Sequence, residues 1–145
     1  YVVELGGGTG AITWGLIEAG IPRDRLLVIE LDRTLAEYLR SRLEGVEVVQ
    51  GDATRLDQIL EELRITQVST VISGLPMVGM PLTFKRAIIS KGFAALGPGG
   101  HMLQYSYSPI CPVPAREFGI RARLVRPVPW NVPPAYVWRY DRLES

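Results

Sequence analysis

The apolar residues of this chain gather into short dense runs, with helical patterns between them. Tyr1-Val2-Val3, Leu26-Leu27-Val28-Ile29 and the segment from Val46 to Gln50 are the first three runs. Short runs rich in Val and Ile, bounded by turn residues, suit strands buried on both faces. With the later runs they predict strands at about 1–5, 25–30, 46–50, 68–73 and 101–107. The stretches between predict helices at about 10–20, 32–43, 55–64 and 81–96. Helix 32–43 is the clearest. Asp32 can cap its N-terminus, Leu35, Leu39 and Leu43 recur at a spacing of four, and Gly45 stands just beyond as a stop. The alternation implies βαβ units, hence an α/β fold with a parallel sheet and helices on both faces.

Gly97-Pro98-Gly99-Gly100 reads as a turn feeding the fifth strand. After Ser108 the character changes, with Pro109, Pro112, Pro114, Pro127, Pro129, Pro133 and Pro134 in one region. Two β-like runs remain there, Ile120 to Val125 and Tyr136 to Tyr140, and they suit a terminal antiparallel pair joined by a Pro-Trp-Asn loop. The link from Ser108 to Gly119 is too short and proline-rich for a full crossover helix. Either the crossover is degenerate or residues are missing from it.

Composition narrows the classes. At 145 residues, with 47% apolar and 21% charged residues, the chain is expected to form one globular domain over 1–145. A net charge of +1 argues against a strongly basic nucleic-acid domain. Cys111 and His101 each stand alone, so neither a disulfide nor a Cys/His metal site is expected. No apolar run approaches the roughly 18 residues of a membrane span.

Candidate chemistry starts at Glu4-Leu5-Gly6-Gly7-Gly8-Thr9-Gly10. A strand that runs into glycines and then a helix brings backbone N–H groups close to a ligand. Glu30 ends the next strand, where a carboxylate suits a ribose diol. Asp52, in Gly51-Asp52-Ala53 after the third strand, suits an adenine amino group, although Asp52 also suits a helix cap. Together these residues read as an adenosine site along the edge of a parallel sheet. A nicotinamide dinucleotide is the alternative, because Gly6-x-Gly8-x-x-Ala11 fits the looser dinucleotide fingerprint. The loop holds no Lys or Arg for a pyrophosphate. Thr13 and Trp14 read as packing residues.

With these motifs in order, the chain resembles the class I S-adenosylmethionine-dependent methyltransferases over nearly its whole length. Ser73-Gly74-Leu75-Pro76, Gln104-Tyr105-Ser106-Tyr107 and the segment Trp130 to Tyr140 resemble one subgroup, the bacterial phospholipid N-methyltransferases. The resemblance implies a Rossmann-like, mostly parallel seven-stranded sheet with an antiparallel last strand. It implies S-adenosylmethionine as donor, S-adenosylhomocysteine as product, and no metal. Implied cofactor-binding residues are Glu4, Gly6, Gly8, Thr9, Gly10, Glu30, Asp52, Ala53 and Ser73. The activity implied is methylation of a phospholipid head-group amine, phosphatidylethanolamine toward phosphatidylcholine. The enzyme would be cytoplasmic and peripheral to the inner face of the membrane, with an anionic lipid surface as partner and no stable nucleic-acid binding. The chain opens inside its first strand, and the N-terminal helical segment that the resemblance implies is expected to be absent from it.

Methyl transfer to an amine needs an unprotonated nitrogen and in-line alignment. Ser73 and the Gly74 and Leu75 carbonyls are candidates to accept an amine hydrogen bond. Tyr105 and Tyr107 face one side of a strand, and the Tyr107 hydroxyl could orient an amine while its ring holds a methylated ammonium. Catalytic roles are thus expected for Ser73 and Tyr107, and substrate contacts for Leu75, Tyr105, Tyr107, Trp130 and Arg139, with Tyr136 able to complete the aromatic enclosure. Arg121, Arg123, Arg126 and Arg139 form either a solvated strand face or a contact for a substrate phosphate or anionic lipid. One rival is an rRNA adenine N6-dimethyltransferase, a group that carries Asn-Leu-Pro-Tyr after the fourth strand, where this chain has Ser73-Gly74-Leu75-Pro76-Met77. Another is a noncatalytic adenosine-binding module.

Overall fold

The computed structural model describes residues 1–128 and 135–143. Its elements are β1 (Val2–Leu5), α1 (Ala11–Glu18), β2 (Leu26–Glu30), α2 (Arg33–Arg42), β3 (Glu47–Gln50), α3 (Leu56–Glu62), β4 (Val68–Ser73), α4 (Leu82–Ala95), β5 (Leu96–Ser106), β6 (Ile120–Val128) and β7 (Ala135–Arg142). The strands form one sheet in the order β3-β2-β1-β4-β5-β7-β6. β1 to β5 pair in parallel, and β7 runs antiparallel between β5 and β6.

The alternating faces of the strands explain the packing. On one face Val28, Val48, Ala36, Leu39 and Leu43 form a cluster beneath α2, and Val2, Leu26 and Ile72 pack against Ile12, Leu16 and Ile17. On the other face Val3, Leu5, Leu27, Ile29, Val71 and Met102 meet Leu56, Ile59 and Leu60 of α3 and Ile88, Ile89 and Phe93 of α4. Asp32 caps α2 as expected, its side chain accepting from the Leu35 N–H at 2.9 Å.

Chain order reverses between β1 and β4. The chain runs outward through β2 and β3, then returns to the far side of β1. Loops leaving β1 and β4 therefore diverge, opening a crevice at the C-terminal ends of the strands, where open α/β sheets bind ligands.

The turn expected at Gly97-Pro98-Gly99-Gly100 lies inside β5. Val68 pairs with Leu96 and Thr70 with His101, so these four residues bulge opposite Ser69. The link after β5 crosses to β6 without a helix. It is folded as turns, with Phe118 N–H donating to the Pro114 carbonyl at 3.2 Å and Ile120 N–H to the Ala115 carbonyl at 3.0 Å. Buried Val113, with Cys111, Ala115 and Phe118, packs it onto the core. Trp130 and the Pro-Trp-Asn loop lie outside the described residues.

Candidate functional site

The glycine loop joins β1 to α1 at the crevice. Gly6 N–H donates to the Ile29 carbonyl at 2.8 Å, and Gly10 N–H donates to the Gly7 carbonyl at 2.9 Å. Gly6 has φ +80°, and a Cβ there would lie 2.8 Å from Leu75 Cδ2. Gly10, with φ 94°, is the left-handed N-cap of α1. At Gly7 a Cβ would lie 2.4 Å from Val28 Cγ1 and 2.8 Å from Leu39 Cδ1, so side-chain-free backbone is what lets the loop lie flat on α2 and β2.

Two carboxylates brace this loop. Glu30 Oε1 accepts from the Gly8 N–H at 2.9 Å, and its Oε2 accepts from the Asp32 N–H at 2.8 Å. Glu4 is fully buried, and Thr13 Oγ1 donates to its Oε1 at 2.5 Å. Burial raises the Glu4 pKa from 4.5 to about 7; the Thr13 bond opposes that rise and the nearby Glu30 charge adds to it. Glu4 Oε2 is buried without a hydrogen-bond partner, as suits a carboxyl group that holds its proton through the mildly acidic range.

Two cavities open along the crevice. The larger, about 570 Å³, lies between the glycine loop, the segment Gly74 to Val78 and the segment Tyr105 to Ser108. The smaller, about 270 Å³, holds Gly8, Glu30, Asp52, Ala53 and Phe84. Gly6, Gly74, Leu75 and Pro76 line both and form the wall between them. The smaller cavity thus gathers two acids beside a glycine backbone, acceptors that fit the hydroxyls of a ribose diol and an adenine amino group. In the larger, Tyr105 and Tyr107 stack edge to face with centroids 5.8 Å apart. Burial, and then the neighbouring Tyr107, raises the Tyr105 pKa, so its hydroxyl keeps its proton.

Of the residues expected at the site, Gly6, Gly8, Glu30, Asp52 and Ala53 line the smaller cavity, and Gly6, Thr9, Leu75, Tyr105 and Tyr107 line the larger. Asp52 also caps the turn after β3, its Oδ1 accepting from both the N–H and the hydroxyl of Thr54 at 2.9 and 2.8 Å. Other expected residues are placed elsewhere. Ser73 is fully buried, and its hydroxyl accepts from the Leu75 N–H at 3.3 Å instead of lining either cavity. Glu4 and Gly10 also line neither. Arg139 pairs with Leu103 in mid-sheet, and its Nε donates to Asp141 at 2.9 Å, because β7 runs away from the crevice after Tyr136. Trp130 is outside the described residues.

The structure adds roles that sequence did not assign. Ile12, Met77 and Val78 give the larger cavity its apolar wall, and Phe84 closes the smaller one. Thr13 fastens α1 to β1 through Glu4. Apolar wall residues look like ordinary core residues in a sequence, so only the fold reveals them.

The fold is Rossmann-like, and methyltransferases are among the known proteins that the chain is similar to. No protein-family profile matches the chain. Over 111 residues it is 37% identical to the ornithine lipid N-methyltransferase of Singulisphaera acidiphila, spanning 74% of this chain and 58% of that protein. Over 86 residues it is 34% identical to the ribosomal RNA small subunit methyltransferase A of Chlorobium phaeobacteroides, spanning 59% of this chain and 31% of that protein. The chain thus matches little more than half the length of the first relative and about a third of the second. The structure superposes on TrmN from Thermus thermophilus with TM-score 0.70, at 18% identity over 98% of this chain and 43% of that one. It superposes on the DhpI–SAH complex with TM-score 0.68, at 17% identity over 99% of this chain and 77% of that one. Likeness at such identities establishes the fold. The chain thus has the fold of the class I S-adenosylmethionine-dependent methyltransferases, and its sequence is similar to methyltransferases.

Proposed function

We propose that the chain carries the catalytic domain of an N-methyltransferase acting on the head-group amine of a membrane aminolipid. The observation that carries this reading is the chemistry of the larger cavity. Among the described residues its lining, from Gly6 to Ser108, contains no charged side chain, and two tyrosine rings meet at one wall. A nucleic-acid acceptor brings phosphates that need cationic partners. A lipid amine needs a neutral, mostly apolar site where it can shed its proton and where its methylated product can rest on ring faces. The likeness to an ornithine lipid N-methyltransferase supports the same class. It also widens the expected substrate from phosphatidylethanolamine to aminolipids in general.

When bound, S-adenosylmethionine supplies a methyl group on a sulfonium, and in-line attack by a neutral amine forms the N–C bond as the S–C bond breaks. The residues present fit that group. Glu30 would accept from the ribose hydroxyls, Asp52 would accept from the adenine amino group, and the backbone around Gly6 would lie against the amino-acid portion. Tyr107, 60% exposed at the cavity mouth, would orient the amine lone pair and pass the released proton to solvent. Arg121 and Arg123, both exposed on β6, would favour an anionic surface, where each cation contributes about 1 kcal/mol, screened by salt. Among the described residues no helix is long and apolar enough to cross a membrane.

The rRNA reading rests on the second relative. Against it stands Gly74, which offers no side-chain amide before Leu75-Pro76. The test is the full-length protein with donor and either vesicle-borne aminolipid or the free head-group amine. Preferential turnover in vesicles, declining as salt rises, is expected. Equal turnover of the free amine, with no flotation on anionic vesicles at low salt, would contradict the proposal.

A further inference from the structure

We infer that Gln104 is a positioning residue for methyl transfer: one buried amide group staples together the two walls of the larger cavity. This rests on reading that cavity as the acceptor site. The larger cavity lies between the loop after β4, Gly74 to Val78, and the end of β5, Tyr105 to Ser108. Gln104 Nε2 donates to the Leu75 carbonyl at 3.0 Å, on the first wall, and to the Tyr105 carbonyl at 2.8 Å, on the second. An amide nitrogen has two protons, and each is committed to one wall.

The Leu75 peptide is gripped from both ends. Its N–H donates to Ser73 Oγ at 3.3 Å, and its carbonyl accepts from the Met77 N–H at 2.8 Å as well as from Gln104. Ser73 and Gln104 are register partners on β4 and β5, and both are fully buried. A carbonyl oxygen has two lone pairs, so the Leu75 oxygen is saturated and leaves amine orientation to other groups of the cavity. Tyr105 and Tyr107 are the polar aromatic groups there, and Gln104 fixes the peptide of the first.

Gln104 is not explained by packing. Its Oε1 is buried without a partner, which is costly, and β5 places it between apolar Met102 and Ser106 on the same strand face. An apolar side chain would fill the space without an orphan acceptor. What it would not do is hold Leu75, whose side chain contacts the position a Cβ on Gly6 would occupy and which walls both cavities. A shift of that wall changes the alignment of amine and methyl group, to which displacement reactions are steeply sensitive.

The experiment uses the full-length protein with Gln104→Met, which keeps the volume and removes both donors, and Gln104→Glu, which regains one donor when protonated. In Gln104→Met, amide exchange at Leu75 and Met77 is expected to quicken while the donor Kd stays within about threefold. Its kcat at saturating donor and lipid should fall about tenfold or more. In Gln104→Glu the ratio of kcat to wild type should climb as pH falls, because only the neutral carboxyl can donate. Unchanged exchange at Leu75 and Met77 would overturn the inference. So would an unchanged kcat, or unfolding midpoints that drop in step with kcat in both variants. Failure of the lipid reading shows up separately, as a wild-type protein that labels no aminolipid, whereas the exchange measurement needs no acceptor.

Discussion

Glu30 and Gly8 are joined directly: the Gly8 N–H donates to Glu30 Oε1 at 2.9 Å across adjacent strand ends. The bond fixes the glycine loop with respect to the acid that is proposed to take the ribose. The other carboxylate oxygen is anchored by the Asp32 N–H at 2.8 Å, so the carboxylate is oriented before a ligand arrives. Glu30→Ala should therefore weaken donor binding by roughly 1.5–3 kcal/mol, the range for hydrogen bonds to a charged group, or about 10- to 150-fold in Kd. Titration calorimetry measures this. A change below about threefold would remove the ribose assignment.

Glu4 makes stability depend on pH in an unusual direction. Its carboxyl titrates at about 7 in the folded chain, against 4.5 for an ordinary glutamate. Between those values the folded state holds a proton that the unfolded state has lost. This contribution is fully present below about 4.5 and is lost as pH rises toward 7, with an upper size of about 3 kcal/mol. Glu4→Gln keeps an acceptor for Thr13 and removes the titration. Urea unfolding at pH 5 to 8 should show the variant gaining on wild type across this window and more stable at pH 8. Parallel curves for the two proteins would contradict the burial account.

Much of this was legible in sequence because the strands are short apolar runs with sharp ends. Leu26-Leu27-Val28-Ile29 can only be a doubly buried strand here, and its end fixes where Glu30 sits. Asp32 signalled its cap correctly. Register and reach were not legible. The Gly97 to Gly100 segment looks like a turn in one dimension, and only pairing with β4 shows it as a bulge inside β5. Arg139 was placed near the substrate by its sequence neighbours, but an antiparallel strand carries it about 10 Å from the crevice over three residues, at the usual strand rise. The roles of Gln104 and Thr13 were not legible because they lie in partners 29 and 9 residues away.

Tyr107 should govern turnover more than donor affinity. It stands at the mouth of the larger cavity, edge to face with Tyr105. If its hydroxyl orients the neutral amine, Tyr107→Phe should lower kcat about tenfold or more. If only the ring matters, Phe is tolerated and Tyr107→Ala slows the later, more methylated steps most. Steady-state kinetics with product analysis by methyl count separates the two. Wild-type rates in both variants would take Tyr107 out of the site.

The most direct measurement offers the full-length protein labelled methyl donor together with mixed aminolipid vesicles and ribosomal subunits in one vessel, then separates lipid from RNA. A neutral acceptor cavity and the ornithine lipid N-methyltransferase relative both lead to label in the lipid fraction, on the head-group nitrogen. Label on ribosomal RNA, with none in the lipid, would contradict the account.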